Sequence, residues 1–220
     1  MKNFLYFILG LSIVACSGTV CAYVDSDYDC SKADDDPYST NNIKKSFFCF
    51  KKMCDYYSNS VPYACYNVGM YYFRGLGVKQ NLAQAGKYLK IACDLNYGMG
   101  CDNLGYLYLN PNGADHDYAN ARKYYEKGCN LDDGLSCYNL GFIYHCGHGV
   151  RKDFVKARQY YEKSCKRNIG DGCVKLGFFY YRGIAVRQNI TKAKEYLGKG
   201  CVLGNQVGCD AYKELNELGY

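Results

Sequence analysis

CNLDDGLSCYNLGFIYHCGHGVRKDFVKARQYYEKSC, residues 129–165, decides the fold. Its first cysteine, Cys129, returns as Cys165 after 36 residues, and the same step reaches back to Cys93 and on to Cys201. The inner Cys137 belongs to a second column with Cys101, Cys173 and Cys209. A period in the thirties is that of stacked helix pairs, each too small to bury its apolar face alone. Such an array builds one elongated core and one long concave surface, a shape that binds more often than it catalyses.

Shifting the chain against itself by 36 residues aligns three more columns around the quoted stretch: Gly69, Gly105, Gly141 and Gly177; Tyr72, Tyr108, Tyr144 and Tyr180; Tyr88, Tyr124, Tyr160 and Tyr196. Phe154, Ala157, Tyr160 and Tyr161 recur at three- and four-residue intervals, the mark of an amphipathic helix. Each repeat therefore predicts a helix A from the second cysteine to a Gly-x-Gly-Val turn, as at 75–78 and 147–150. A helix B then opens at Asn81, Asp117, Asp153 or Asn189, good N-cap residues, and runs to the next cysteine. Residues 42–57 read as a half repeat holding only a helix B. Full repeats start near 65, 101, 137 and 173, and residues 209–220 form a capping helix A.

Residues 1–22 hold one charge, Lys2, then an apolar run ending in small residues, and read as an export signal. The run is shorter than the roughly 20 residues a membrane-spanning helix needs. Cleavage after Ala22 is the preferred processing; lipid anchoring through Cys16 is the alternative. The first gives a secreted or periplasmic protein and the second a lipid-anchored one, and the fifteen cysteines of the full sequence suit an oxidising compartment. No Cys-x-x-Cys occurs, so neither metal nor cofactor is expected. The formal charge is +6, yet residues 23–36 in the leader (23–41) hold six Asp and one Lys, so the array itself is basic. Its Lys and Glu alternate on helix B, which reads as a solvated face and not a nucleic-acid surface.

Two pairings of the column cysteines are open. The short one joins Cys54 to Cys65, Cys93 to Cys101, Cys129 to Cys137, Cys165 to Cys173 and Cys201 to Cys209, and uses all ten. The long one strands Cys54 and Cys209, so the short one is preferred. Cys30 is expected to bond Cys49, leaving Cys146 single. Cys146 sits with His145 and His148 at a turn tip, where a structural reading outweighs a metal corner or a reactive thiol. No hydrolase motif appears, and no catalytic residue is assigned.

The binding expectation rests on helix A. Asn67, Asn103, Asn139 and Lys175 form one column, and side-chain amides can hold a ligand's backbone by paired bonds. Beside them on the concave face fall Tyr66, Met70, Arg74, Tyr106, Tyr138, Phe142, Phe178 and Arg182, aromatic platforms with flanking cations suited to an extended ligand bearing carboxylates.

Asn-Leu-Gly-x-x-Tyr, then Gly-x-Gly-Val, then Ala-x-x-Tyr-Tyr-Glu-Lys, closed by cysteine pairs, resembles Sel1-like repeats. The cysteine-decorated form looks like the Helicobacter cysteine-rich protein family. The resemblance covers residues 42–220 and implies an all-α, right-handed solenoid of TPR-like helix pairs, exported and acting as an antigen or host-interaction factor; the chain is separately expected to be a monomer. It also implies a β-lactamase label tied to penicillin binding and muropeptide-like ligands. Here Asn110-Pro111-Asn112 replaces the usual Gly-x-Gly opening, and Cys146 is extra. The leading expectation is an interaction protein that binds an extended peptide, a muropeptide or a host or envelope protein. The alternative is a slow β-lactam hydrolase.

Overall fold

The computed structural model describes residues 13–17, 20–25, 28–29, 40–56, 61–109 and 117–220. Two compact units make up the chain, Met1–Tyr88 and Leu89–Tyr220.

In the first unit, strands β1 (Ile13–Ser17), β2 (Val20–Asp25) and β3 (Tyr28–Asp29) form a small antiparallel sheet, with Cys16 opposite Cys21. The sequence reading placed only a signal and an acidic leader here. The segment is rich in β-branched residues, and the two residues between β1 and β2 give the spacing of a hairpin. Helices α1 (Thr40–Tyr56) and α2 (Pro62–Arg74) follow, with the start of α3 (Leu82–Asp94). Phe47 is buried edge-on against Tyr72 at 5.3 Å, and Tyr72 stacks on Tyr88 at 5.9 Å. The Tyr88 hydroxyl donates to Asp55 Oδ1 at 3.1 Å, so the half repeat does supply a helix that the next repeat packs on.

The second unit alternates short helices: α4 (Gly98–Tyr108), α5 (Tyr118–Asn130), α6 (Gly134–Cys146), α7 (Phe154–Lys166), α8 (Gly170–Arg182), α9 (Ile190–Val202) and α10 (Gln206–Glu217). All four expected B-helix caps are present. The side chains of Asn81, Asp117, Asp153 and Asn189 accept from the backbone N–H three residues on, at 2.9–3.0 Å. Helix A, however, opens three residues ahead of the second cysteine. The B-to-A turn needs only one left-handed residue, Asn96, Asp132, Asn168 or Gly204 at φ 60–84°, before the next helix starts. Asp133 then caps α6 by accepting from Ser136 N at 2.8 Å.

Each repeat adds one core layer, such as Ala121, Tyr125, Leu140 and Ile143, then Ala157, Tyr161, Leu176 and Phe179. The glycine column makes the layers possible. A Cβ on Gly105 or Gly141 would stand 2.9 Å from the ring of Tyr125 or Tyr161, inside contact distance. In α10 the column holds the exposed Lys213 in place of glycine. The bridges are the short ones: Cys54–Cys65, Cys93–Cys101, Cys129–Cys137, Cys165–Cys173 and Cys201–Cys209, with Cα atoms 4.4–4.9 Å apart. Cys49 is also disulfide-bonded, while its expected partner Cys30 and the Asn110-Pro111-Asn112 departure lie outside the described residues.

Candidate functional site

The A helices present the candidate surface. In the first unit, Tyr66, Asn67 and Met70 of α2 are half-buried and Arg74 is exposed. Asn67 Nδ2 donates to Tyr63 O, one turn earlier, at 2.8 Å. In the second unit Asn103 repeats this, donating to Met99 O at 2.9 Å. One donor of each amide is thus spent on its own helix. Asn139 behaves differently: its Nδ2 reaches across from α6 to Asp102 Oδ1 on α4 at 2.9 Å. The asparagine column is therefore not one row of equivalent ligand-facing amides.

Around these side chains runs an apolar row. Tyr106 is 52% exposed and Phe142 39% exposed, and Met99 and Leu135, two turns earlier on the same helices, are exposed to 43% and 44%. On α8 the row becomes charged: half-buried Lys175 and Phe178, then exposed Arg182, whose guanidinium lies 5.9 Å from the Phe178 ring centre. Tyr138 instead turns half inward, its ring 5.8 Å from that of Tyr161. Met99 and Leu135 were missed from sequence because they precede the second cysteine, where helix A was expected to begin. The members of their column Tyr63, Met99, Leu135 and Val207 were visibly apolar all the same, while the member on α8 is the exposed Asp171.

Asp102 was also missed. Its column holds Tyr66, Tyr138 and Val174, so a carboxylate there stood out as the one charge in an inward position of the full repeats. The side chain is buried, with Oδ1 accepting from Asn139 and, at 3.4 Å, from Ser136 Oγ. Burial, with some repulsion from Asp133, raises its pKa from 3.8 to about 6, against the opposing pull of Asn139 and Ser136. The nearby Tyr125 hydroxyl is likewise pushed up, mainly by burial and next by the Asp102 charge.

His145, Cys146 and His148 do not converge. His145 Nδ1 shares a hydrogen bond with the Tyr161 hydroxyl at 3.2 Å, and its ring stands edge-on to Phe154, Tyr161 and Phe179. Burial, then Lys175 and Lys152, lowers its pKa. His148 stacks on Tyr118 at 5.1 Å. Cys146 is a half-buried free thiol, and among the described residues no group of His, Cys, Asp and Glu could hold a metal.

The Sel1 repeat family model matches residues 62–97, 98–133, 134–169 and 170–205. No curated protein matches. Among solved structures, a protective antigen of uropathogenic Escherichia coli strains with an SLR fold aligns with TM-score 0.72 at 28% identity over 80% of this chain and 37% of its own. This chain thus spans little more than a third of that antigen. A Sel1 repeat protein from Oxalobacter formigenes aligns at 0.67, with 23% identity over 80% of this chain and 78% of its own. Helicobacter pylori cysteine rich protein B aligns at 0.50, with 35% identity over 61% of this chain and 96% of its own.

Proposed function

The chain belongs to the Sel1 repeat family, and from that premise we propose that it is an exported binding module whose A-helix face holds an extended peptide or the peptide stem of a muropeptide. The observation that carries this reading is the exposed row Met99, Tyr106, Leu135 and Phe142 on two successive A helices, with Lys175 and Arg182 on the third. Large apolar side chains left in water in a contiguous row mark an interaction surface. Rigid aromatic rings order at small entropic cost, and the two cations at one end would receive a ligand's carboxylate. Export is supported by the five disulfides, which form and persist outside a reducing cytosol.

The test is calorimetric titration of the oxidised protein with a disaccharide-peptide muropeptide and with its free peptide stem. Saturable binding that Tyr106→Ala with Phe142→Ala weakens by about tenfold or more supports the reading, since two aromatic contacts are worth about 1 kcal/mol each. No binding by either probe refutes the ligand class. A chromogenic cephalosporin assayed alongside tests the hydrolase: turnover by the purified protein would replace the binding reading with that one. Intact mass of the exported protein distinguishes cleavage after Ala22 from a lipid on Cys16.

A further inference from the structure

The turn between α6 and α7 borders a cavity of about 810 Å³ whose rim is basic. Arg122 of α5, Arg151 and Lys152 of the turn and Lys156 of α7 line it, against a single carboxylate, Asp153. That carboxylate is already committed as the α7 cap, accepting from Lys156 N at 2.9 Å, with Lys156 Nζ 3.9 Å from its other oxygen. Elsewhere on this unit several cations are answered by acids, Lys90 and Lys127 by Asp94, Arg158 and Lys166 by Glu162, Arg167 by Asp132 and Lys213 by Glu217, while Lys123, Lys163, Lys175, Arg182, Arg187 and Lys192 have no acidic partner among the described residues. Among the described residues Arg122, Arg151 and Lys152 have no such partner.

The walls between these cations are apolar. Val150 is half-buried, and Phe154 and Val155 are exposed to 41% and 52%. One repeat on, Tyr180, Val186, Arg187 and Lys192 outline a smaller cavity of about 480 Å³. In both, the lysine lies over the tyrosine ring, Lys156 over Tyr144 at 5.1 Å and Lys192 over Tyr180 at 5.4 Å.

Uncompensated guanidinium and ammonium groups alternating with open apolar walls call for a ligand that carries both characters in alternation. A sulfated polysaccharide or a nucleic-acid backbone would meet the cations but leave Phe154 and Val155 in water. We propose that this groove is a second binding site, independent of the A-helix face, that takes an acidic peptide segment in which carboxylates alternate with apolar side chains. Arg122 and Arg151 grip carboxylates in fork geometry, Lys152 adds a point charge, and the apolar side chains cover Val150, Phe154 and Val155.

The experiment is fluorescence anisotropy with a short labelled peptide alternating glutamate and leucine, added to the oxidised full-length protein. Arg151→Gln with Lys152→Gln should weaken binding by at least ~10-fold, the loss expected for charge-assisted bonds. Added salt should weaken it too, whereas Tyr106→Ala should leave it unchanged. A glutamine–leucine peptide bound as tightly as the acidic one would overturn the proposal, as would unaltered binding by the groove variant. So would a heparin fragment or a single-stranded RNA binding more tightly than the peptide. Arg122→Gln, which alters the opposite wall, gives an independent check with the same expected direction.

Discussion

Replacing Asp102 by asparagine should flatten the pH dependence of stability. The buried carboxyl titrates near pH 6 in the folded chain against 3.8 in the ordinary state, so between those values the folded form holds a proton that the unfolded form has lost. Stability from this residue is therefore full below the ordinary value, declines as pH rises through the window, and levels off above about 6. The interval corresponds to a cost of ~3 kcal/mol at neutral pH, set mainly by desolvation. Asp102→Asn keeps the shape and an oxygen for Asn139 but carries no charge. It should gain roughly 2–3 kcal/mol at pH 7.5 relative to the parent and nothing at pH 4, so the two Tm curves diverge by roughly 5–10 °C as pH rises. The lowered Asp94 and Asp117 add the opposite slope in both proteins and cancel in the difference. Urea unfolding in steps from pH 4 to 7.5 measures it. A parent-minus-variant difference that does not change with pH would refute the desolvation argument. Asn139→Leu, which removes the donor to the charged form, should widen the divergence instead.

Three further outcomes are expected. Gly141→Ala places a methyl 2.9 Å from the Tyr161 ring, which Phe179 and His145 hold from the other sides, and should cost about 1–3 kcal/mol in urea unfolding. Ala185→Gly relieves a left-handed residue at φ 55° in a column where Gly77 and Gly149 stand, and should raise stability by roughly 1 kcal/mol in a thermal melt. Replacing Cys165 and Cys173 together by alanine should remove ~2–3 kcal/mol, the loop-closure entropy of a short bridge, read as a lower urea midpoint.

The period, the helix pairs, the B-helix caps and the choice between two cysteine pairings were legible because each is a local spacing rule. Asp117 and Asp153 needed only a neighbouring N–H, and the cysteines only the next turn. What sequence did not give were directions. Asn67, Asn103 and Asn139 look alike in one column, yet Asn139 alone meets a carboxylate from the preceding repeat, because only there is position 102 an Asp. The start of helix A was read three residues late since Gly134 and its equivalents carry no apolar signal. The N-terminal strands were not legible because their apolar residues fall within and just after the run read as an export signal.

The closeness of bridged cysteines also governs how the chain acquires its shape. Each thiol finds its mate within eight or eleven residues, a loop that forms in well under a microsecond once both are free of an exit channel. The native partner is therefore met far more often than any distant cysteine, which favours the correct pairing whenever the bonds form. It also means that a whole module can be duplicated or deleted in evolution without re-wiring the bonds of those that remain.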